Sequence, residues 1–107
     1  GLAYDGTHLW AADGFDTVLK FDNTGSVITS FIFPELDTAN GLAWDGTHLW
    51  VAGAFNSTIK KVDTTGNMLD SVNLGLDFPF LRDLAFDGTH LWAVDDMDDT
   101  LYKISVD

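Results

Sequence analysis

Asp5-Gly6-Thr7-His8-Leu9-Trp10, Asp45-Gly46-Thr47-His48-Leu49-Trp50 and Asp87-Gly88-Thr89-His90-Leu91-Trp92 are one hexapeptide written three times. The copies open at residues 5, 45 and 87, which stand 40 and 42 apart. A period of about 40 to 45 residues is the length that one four-stranded propeller blade occupies. The match widens upstream to Gly1-Leu2-Ala3-Tyr4, Gly41-Leu42-Ala43-Trp44 and Asp83-Leu84-Ala85-Phe86. Downstream it takes in Leu19-Lys20-Phe21-Asp22, Lys60-Lys61-Val62-Asp63 and Tyr102-Lys103-Ile104-Ser105.

Each unit reads as short strands separated by turn signals, and no segment carries a helical period. In the first unit the strands run approximately from Leu2 to Tyr4, His8 to Ala12, Val18 to Phe21 and Ser26 to Phe33. Asp5-Gly6, Asp45-Gly46 and Asp87-Gly88 are hairpin signals, because glycine accepts the positive φ that a tight turn between right-twisted strands demands. The first two strands of each unit are almost continuously apolar, which suits sheets covered on both faces. The alternation in the fourth predicts polar side chains facing solvent near the outer edge.

The fold class expected is all-β, with blades of four antiparallel strands at about 1–40 and 41–82 and a partial blade at about 83–107. The third unit ends after its third strand, and closed rings usually have 4 to 8 blades. Three blades leave apolar sheet faces at both flanks. Two copies completing a six-blade ring is the preferred expectation, and a piece of a longer chain is the alternative.

The 107 residues are 46% hydrophobic and 13% aromatic, ample material for a core. Five Lys and Arg stand against 17 Asp and Glu, for a net charge of −12. Such a field repels nucleic acid and anionic lipid, and no stretch approaches the ~18 apolar residues of a membrane helix. Neither partner is expected. The acidity suits cations or basic proteins, but also plain solubility or high-salt adaptation. Cysteine is absent, so thiolate chemistry and disulfides are excluded.

Gly41-Leu42-Ala43-Trp44-Asp45-Gly46-Thr47-His48-Leu49-Trp50-Val51-Ala52, followed by Ile59-Lys60-Lys61-Val62-Asp63-Thr64-Thr65-Gly66, resembles the repeats of bacterial secreted propellers of the NHL and YVTN type. It is also similar to blades of the streptogramin lyase and glutaminyl cyclotransferase propellers. The resemblance covers essentially the whole chain and implies a fold, with an extracellular or cell-surface setting. Its motifs are blade-packing motifs, and no catalytic residue carries over.

His8, His48 and His90 occupy equivalent positions in successive units, too far apart for one metal with bonds near 2.0 Å; a histidine hydrogen-bonding its own turn is expected. Trp10, Trp50 and Trp92 are expected between blades, with Trp44 in the core and Lys20, Lys61 and Lys103 solvated. Departures from the repeat are the better functional candidates. The second-to-third connections include Asp13, Asp16 and the run Asp95-Asp96-Met97-Asp98-Asp99. Hard oxygen ligands suit Ca²⁺, so Asp95, Asp96, Asp98 and Asp99 form a candidate metal site, although the spacing is not that of an EF-hand. Asn40 and Arg82 are equivalent positions just before the innermost strand. Arg82, the only arginine, is expected to pair with Asp83 or to hold an anionic ligand group. Asn40, Arg82, Asp83, Asp13 and Asp16 are thus the candidate ligand-binding residues. The function expected is non-catalytic binding or scaffolding of a protein or glycan. A metal-assisted lyase or hydrolase and a purely structural oligomer are the alternatives.

Overall fold

The computed structural model describes residues 1–33, 38–53, 58–75, 80–96 and 99–105. Within them lie eleven strands. β1 (Leu2–Tyr4), β2 (Leu9–Ala12), β3 (Thr17–Phe21) and β4 (Val27–Ile32) form one antiparallel sheet in sequence order. β5 (Ala39–Trp44), β6 (Leu49–Gly53), β7 (Thr58–Val62) and β8 (Met68–Asn73) form the second. β9 (Leu81–Phe86), β10 (His90–Asp95) and β11 (Thr100–Ser105) form the third. Among the described residues no helix is long and apolar enough to cross a membrane.

The expected glycines take the expected turns, with Gly6, Gly46 and Gly88 at φ of 95°, 100° and 101°. The aspartate before each does more than start a turn. Asp5 Oδ1 accepts the backbone N–H groups of Thr7 (2.8 Å) and His8 (2.7 Å), while Oδ2 accepts the indole N–H of Trp10 at 2.9 Å. Asp45 does the same for Thr47, His48 and Trp50, and Asp87 for Thr89, His90 and Trp92. The histidine therefore serves its turn through its backbone N–H. On the face of each indole rests a lysine ammonium: Lys20 at 5.3 Å, Lys61 at 5.7 Å and Lys103 at 5.6 Å from the ring centroid. These lysines, expected to be simply solvated, form cation–π contacts. The repeated Asp, Trp and Lys are thus one clasp, repeated per blade.

Burial alone would raise the Asp5 and Asp45 carboxyls, but the backbone N–H of the histidine, the indole and the threonine N–H outweigh it and hold both below the usual range. Asp87 is pulled to about 2 by the indole of Trp92 and the N–H groups of His90 and Thr89. In the β7–β8 turn Asp63 is likewise drawn to about 2, first by the Thr65 hydroxyl and then by the Asn67 N–H. Unfolded aspartates protonate near pH 4, so from about pH 4 to 2 the unfolded chain binds more protons and stability falls with falling pH. Thermal unfolding scans should show a midpoint that declines from pH 5 to pH 2.5. A flat midpoint over that range contradicts the clasp.

Two apolar clusters fill the spaces between sheets. Trp10, Val18 and Phe33 of the first blade meet Leu42, Leu49, Val51 and Val62 of the second. On the opposite face of the second blade, Ala43, Trp50, Ala52 and Ile59 meet Leu84, Leu91, Ala93 and Ile104 of the third. Strand alternation produces this: odd and even residues of one sheet serve different neighbours, so both must be apolar.

The outer strands depart from the expected alternation. Besides its polar members, β4 exposes Val27, Ile28 and Ile32, and β8 exposes Met68 and Leu69. In each, one residue drops out of the ladder: Lys20 pairs Thr29 and Phe21 pairs Val27, while Lys61 pairs Asp70 and Val62 pairs Met68. The extra residues Ile28 and Leu69 form bulges, which shift the alternation by one. Phe31 in β4 and Val72 in β8 turn inward and are half-buried, Phe31 stacking on Trp10 at 5.8 Å. Its ring lies against Gly66, where an added Cβ would fall 2.0 Å from a ring carbon. Gly25, the equivalent turn glycine, has open space around it. Both hold positive φ, 91° and 86°. Gly25→Ala should cost about 1 kcal/mol for backbone strain, and Gly66→Ala about 3 kcal/mol because it also displaces Phe31. Urea unfolding of the two variants compares them directly.

Candidate functional site

The up-and-down order of strands puts the β2–β3, β6–β7 and β10–β11 connections at one end, together with the links from blade to blade. This is the end at which the repeats differ. In the first blade the connection is built by its own carboxylates. Asp13 Oδ1 accepts the N–H of Phe15 at 2.8 Å, and Asp16 Oδ1 accepts the hydroxyl of Thr17 at 3.1 Å. Backbone bonds then fasten the loop: Gly14 donates to the carbonyl of Ala39 at 3.2 Å, Ala39 donates to the carbonyl of Phe15, and Phe33 donates to that of Asp16 at 2.8 Å. The loop's frame is fixed, yet Phe15 leaves 71% of its surface exposed. Asp13 and Asp16 stood out in the sequence, and the phenyl ring between them did not. An aromatic at this position in the first two units, Phe15 and Phe55, flanked by two aspartates only in the first, was the available signal.

Asn40 and Arg82 lie inside β5 and β9, not before them. Ala39 pairs Gly53 and Gly41 pairs Ala52, so Asn40 is an extra residue in its strand. Leu81 pairs Asp95 and Asp83 pairs Val94, so Arg82 is the same. A bulge bends a strand and re-aims the side chain it carries. Asn40 reaches the next blade, its amide donating to the carbonyl of Leu81 at 3.5 Å. Arg82 pairs with Asp96, Nε to Oδ2 at 3.5 Å, and its guanidinium lies 5.1 Å from the centre of the Phe80 ring. The expected partner Asp83 is not the one used. Asp83 Oδ1 instead accepts the N–H of Leu84 at 2.9 Å.

The acidic run divides. Asp95 is buried, and its Oδ2 accepts the N–H of Phe80 at 3.3 Å, tying the preceding blade link to β10. Asp96 is exposed, paired with Arg82, and its N–H donates to the carbonyl of Phe80 at 3.0 Å. Asp99 holds a positive φ of 53°. Asp98 lies outside the described residues, as do Glu35, Asp37 and Asp77 of the blade links. For Ca²⁺ the fit is partial: the described carboxylates Asp95 and Asp96 each direct an oxygen to a protein donor. Among the described residues no three His, Cys, Asp or Glu side chains come together as a metal site.

Three antiparallel sheets stacked face to face, each in strand order and each joined to the next by its outermost strand, decide the architecture. The chain is an arc of β-propeller blades. Solved structures agree on the fold. BamB from Moraxella catarrhalis superposes with a TM-score of 0.72 at 17% identity, over 95% of this chain and 29% of its own. The glutaminyl cyclase of Myxococcus xanthus gives 0.77 at 14% identity, over 98% and 47%. The virginiamycin B lyase of Staphylococcus aureus, in selenomethionine form, gives 0.75 at 13% identity, over 98% and 40%. This arc spans less than half the length of each. No protein-family model matches the chain, and no curated protein matches it.

The opposite end of the propeller arc carries a second concavity. Between the first two blades a cleft of about 290 Å³ is lined by Asp5, Thr7, His8, Lys20, Trp44 and Thr64. Trp44, expected in the core, is only half-buried and forms one wall. Its lining is mostly the clasp itself, whose carboxylate and ammonium are already engaged.

Proposed function

We propose that this arc belongs to a closed propeller ring that works as a non-catalytic binding or scaffold module, and that it grips a basic segment of a partner protein at the loop end. The observation that carries this reading is the exposed ring of Phe15, held by a bonded loop between two aspartates. An aromatic face attracts lysine and arginine through its quadrupole, and the flanking carboxylates of Asp13 and Asp16 supply the opposite charge. The net charge of −12 adds long-range attraction for such a partner. Rigid loops reduce the ordering cost of binding. The setting proposed is extracellular or at the cell surface, on the strength of the resemblance to secreted propellers.

An oligo-arginine peptide titrated calorimetrically at low salt tests the site. Phe15→Ser and Asp13→Asn together should weaken binding at least tenfold. Lys20→Ala, which changes the other end, should leave it unchanged. No heat at all, or equal affinity for an oligo-glutamate peptide, rejects the reading. Two of the similar structures are called a cyclase and a lyase, but at 13–14% identity they share a fold with this chain, and the described residues favour no reaction.

A further inference from the structure

The cleft between the first two blades holds polar groups that the fold does not use. Trp10, Trp50 and Trp92 each give the indole N–H to the aspartate of their own turn. The indole of Trp44, the fourth tryptophan, has no acceptor among the described residues, and its N–H is open to solvent. Trp44 stands half-buried in the cleft wall, packed on the apolar cluster between the first two sheets. Around the same cleft the hydroxyls of Thr7 and Thr64 and the imidazole of His8 likewise have no hydrogen-bond partner among the described residues. The Lys20 ammonium rests on the Trp10 ring, which leaves its N–H donors for another acceptor.

Repetition separates what blade packing requires from what it does not. The clasp recurs in every unit, but the two residues that the second blade adds to this cleft do not. Where the second unit has Trp44 and Thr64, the third has Phe86 and Val106. Phe86 packs against the next apolar cluster as Trp44 packs against the first. A phenyl ring therefore suffices for stacking one blade on another, and the indole N–H and the threonine hydroxyl are additions to it.

We infer that this cleft binds one neutral sugar ring of a glycan, independently of the basic segment gripped at the opposite end. Its volume of about 290 Å³ stands at the lower limit of small-molecule sites, roughly 300 to 1,000 Å³, and suits a single six-membered ring. The slightly positive C–H bonds on one face of a sugar lie against the negative face of an indole. Sugar hydroxyls both donate and accept, which matches a lining that sets the N–H groups of Trp44 and Lys20 beside the hydroxyls of Thr7 and Thr64 and the imidazole of His8. Charge selects against an acidic ligand. Asp5 and Asp22 both lie close enough to His8 to interact with it electrostatically. A ligand carboxylate would meet these two aspartates against the one lysine, in a chain of net charge −12.

Titration with the methyl glycosides of glucose, galactose, mannose and N-acetylglucosamine, followed through the indole proton resonances, tests this. With at least one of them the Trp44 resonance should move and saturate, while those of Trp50 and Trp92 stay in place. A Kd on the order of 1 mM is the scale for a ligand of about a dozen non-hydrogen atoms in an open cleft. Trp44→Phe with Thr64→Val gives the second blade the side chains of the third, so the β-sheet circular dichroism should be kept. Binding, read from the ring protons of His8, should weaken at least tenfold in that variant. Glucuronate and galacturonate should bind more weakly than the neutral sugars. No saturable shift with any of the four glycosides overturns the site, and full affinity in the double variant overturns its placement at Trp44 and Thr64. A uronate that binds more tightly than every neutral glycoside overturns the assignment of a neutral ligand. Phe15→Ser and Asp13→Asn should leave sugar binding unchanged, so failure at one end of the arc is read separately from failure at the other.

Discussion

Trp50→Ala should remove about 4 kcal/mol of stability, the cost of leaving a large aromatic cavity in a packed interface. Trp50 is almost wholly buried between the second and third sheets, where it packs with Ala52, Ile59, Leu84 and Leu91. Both neighbouring blades lose contact together, because sheets held at a fixed spacing cannot collapse into the space. A domain of this size is stable by about 5 to 15 kcal/mol in total, so a large fraction goes with one side chain. Trp92 is the control. It has the same clasp but is only half-buried, and its truncation should cost less than about 2 kcal/mol. Urea midpoints for the two variants, with unchanged slopes, decide the comparison. Equal losses would mean that the clasp, not interblade packing, gives the tryptophan its value.

Asp45→Ala should cost about 3 kcal/mol, although it deletes no apolar packing. Asp45 accepts from the N–H groups of Thr47 and His48 and from the indole of Trp50. Truncation leaves the indole N–H of a buried side chain without its carboxylate, and donors stranded in that way lose their full solvation. Asp45→Asn is the sharper probe. Its amide oxygen can still serve the turn, but its NH₂ then faces the indole N–H, donor against donor. About 2 kcal/mol should be lost, with the turn preserved. The indole proton resonance of Trp50 should move in both variants while those of Trp10 and Trp92 stay in place.

The repeat made the sheets legible. A strand register that places Leu49 opposite Val62 and Leu91 opposite Ile104 follows from aligning the three units, and the Asp-Gly turns fell where positive φ was needed. Less visible was what a side chain does once placed. Asp5, Asp45 and Asp87 read as turn starters, yet their second oxygen reaches five residues along to an indole, a relation that emerges only when strand twist brings the two together. Bulges were equally hidden. An extra residue at Asn40, Arg82, Ile28 or Leu69 leaves no mark in composition but flips every side chain beyond it, which is why Arg82 faces Asp96 and not its neighbour Asp83. Asp95 and Asp96 looked alike in a run of carboxylates, and one is buried while the other pairs with arginine. Asp95 ends β10 and Asp96 opens the turn that follows, so a run of like charges cannot be treated as one group.

The aspartate and tryptophan of each clasp stand only five residues apart in the chain. Closing so short a loop has little entropic cost compared with closing one that spans a whole unit. The opening hairpin of every blade can therefore form early and without its neighbours, and the slower step is the stacking of finished hairpins onto one another. Folding in such an array can begin at any of the three hexapeptides and spread to the adjoining unit, so the chain reaches its native form by several equivalent routes, in no fixed order from one terminus to the other.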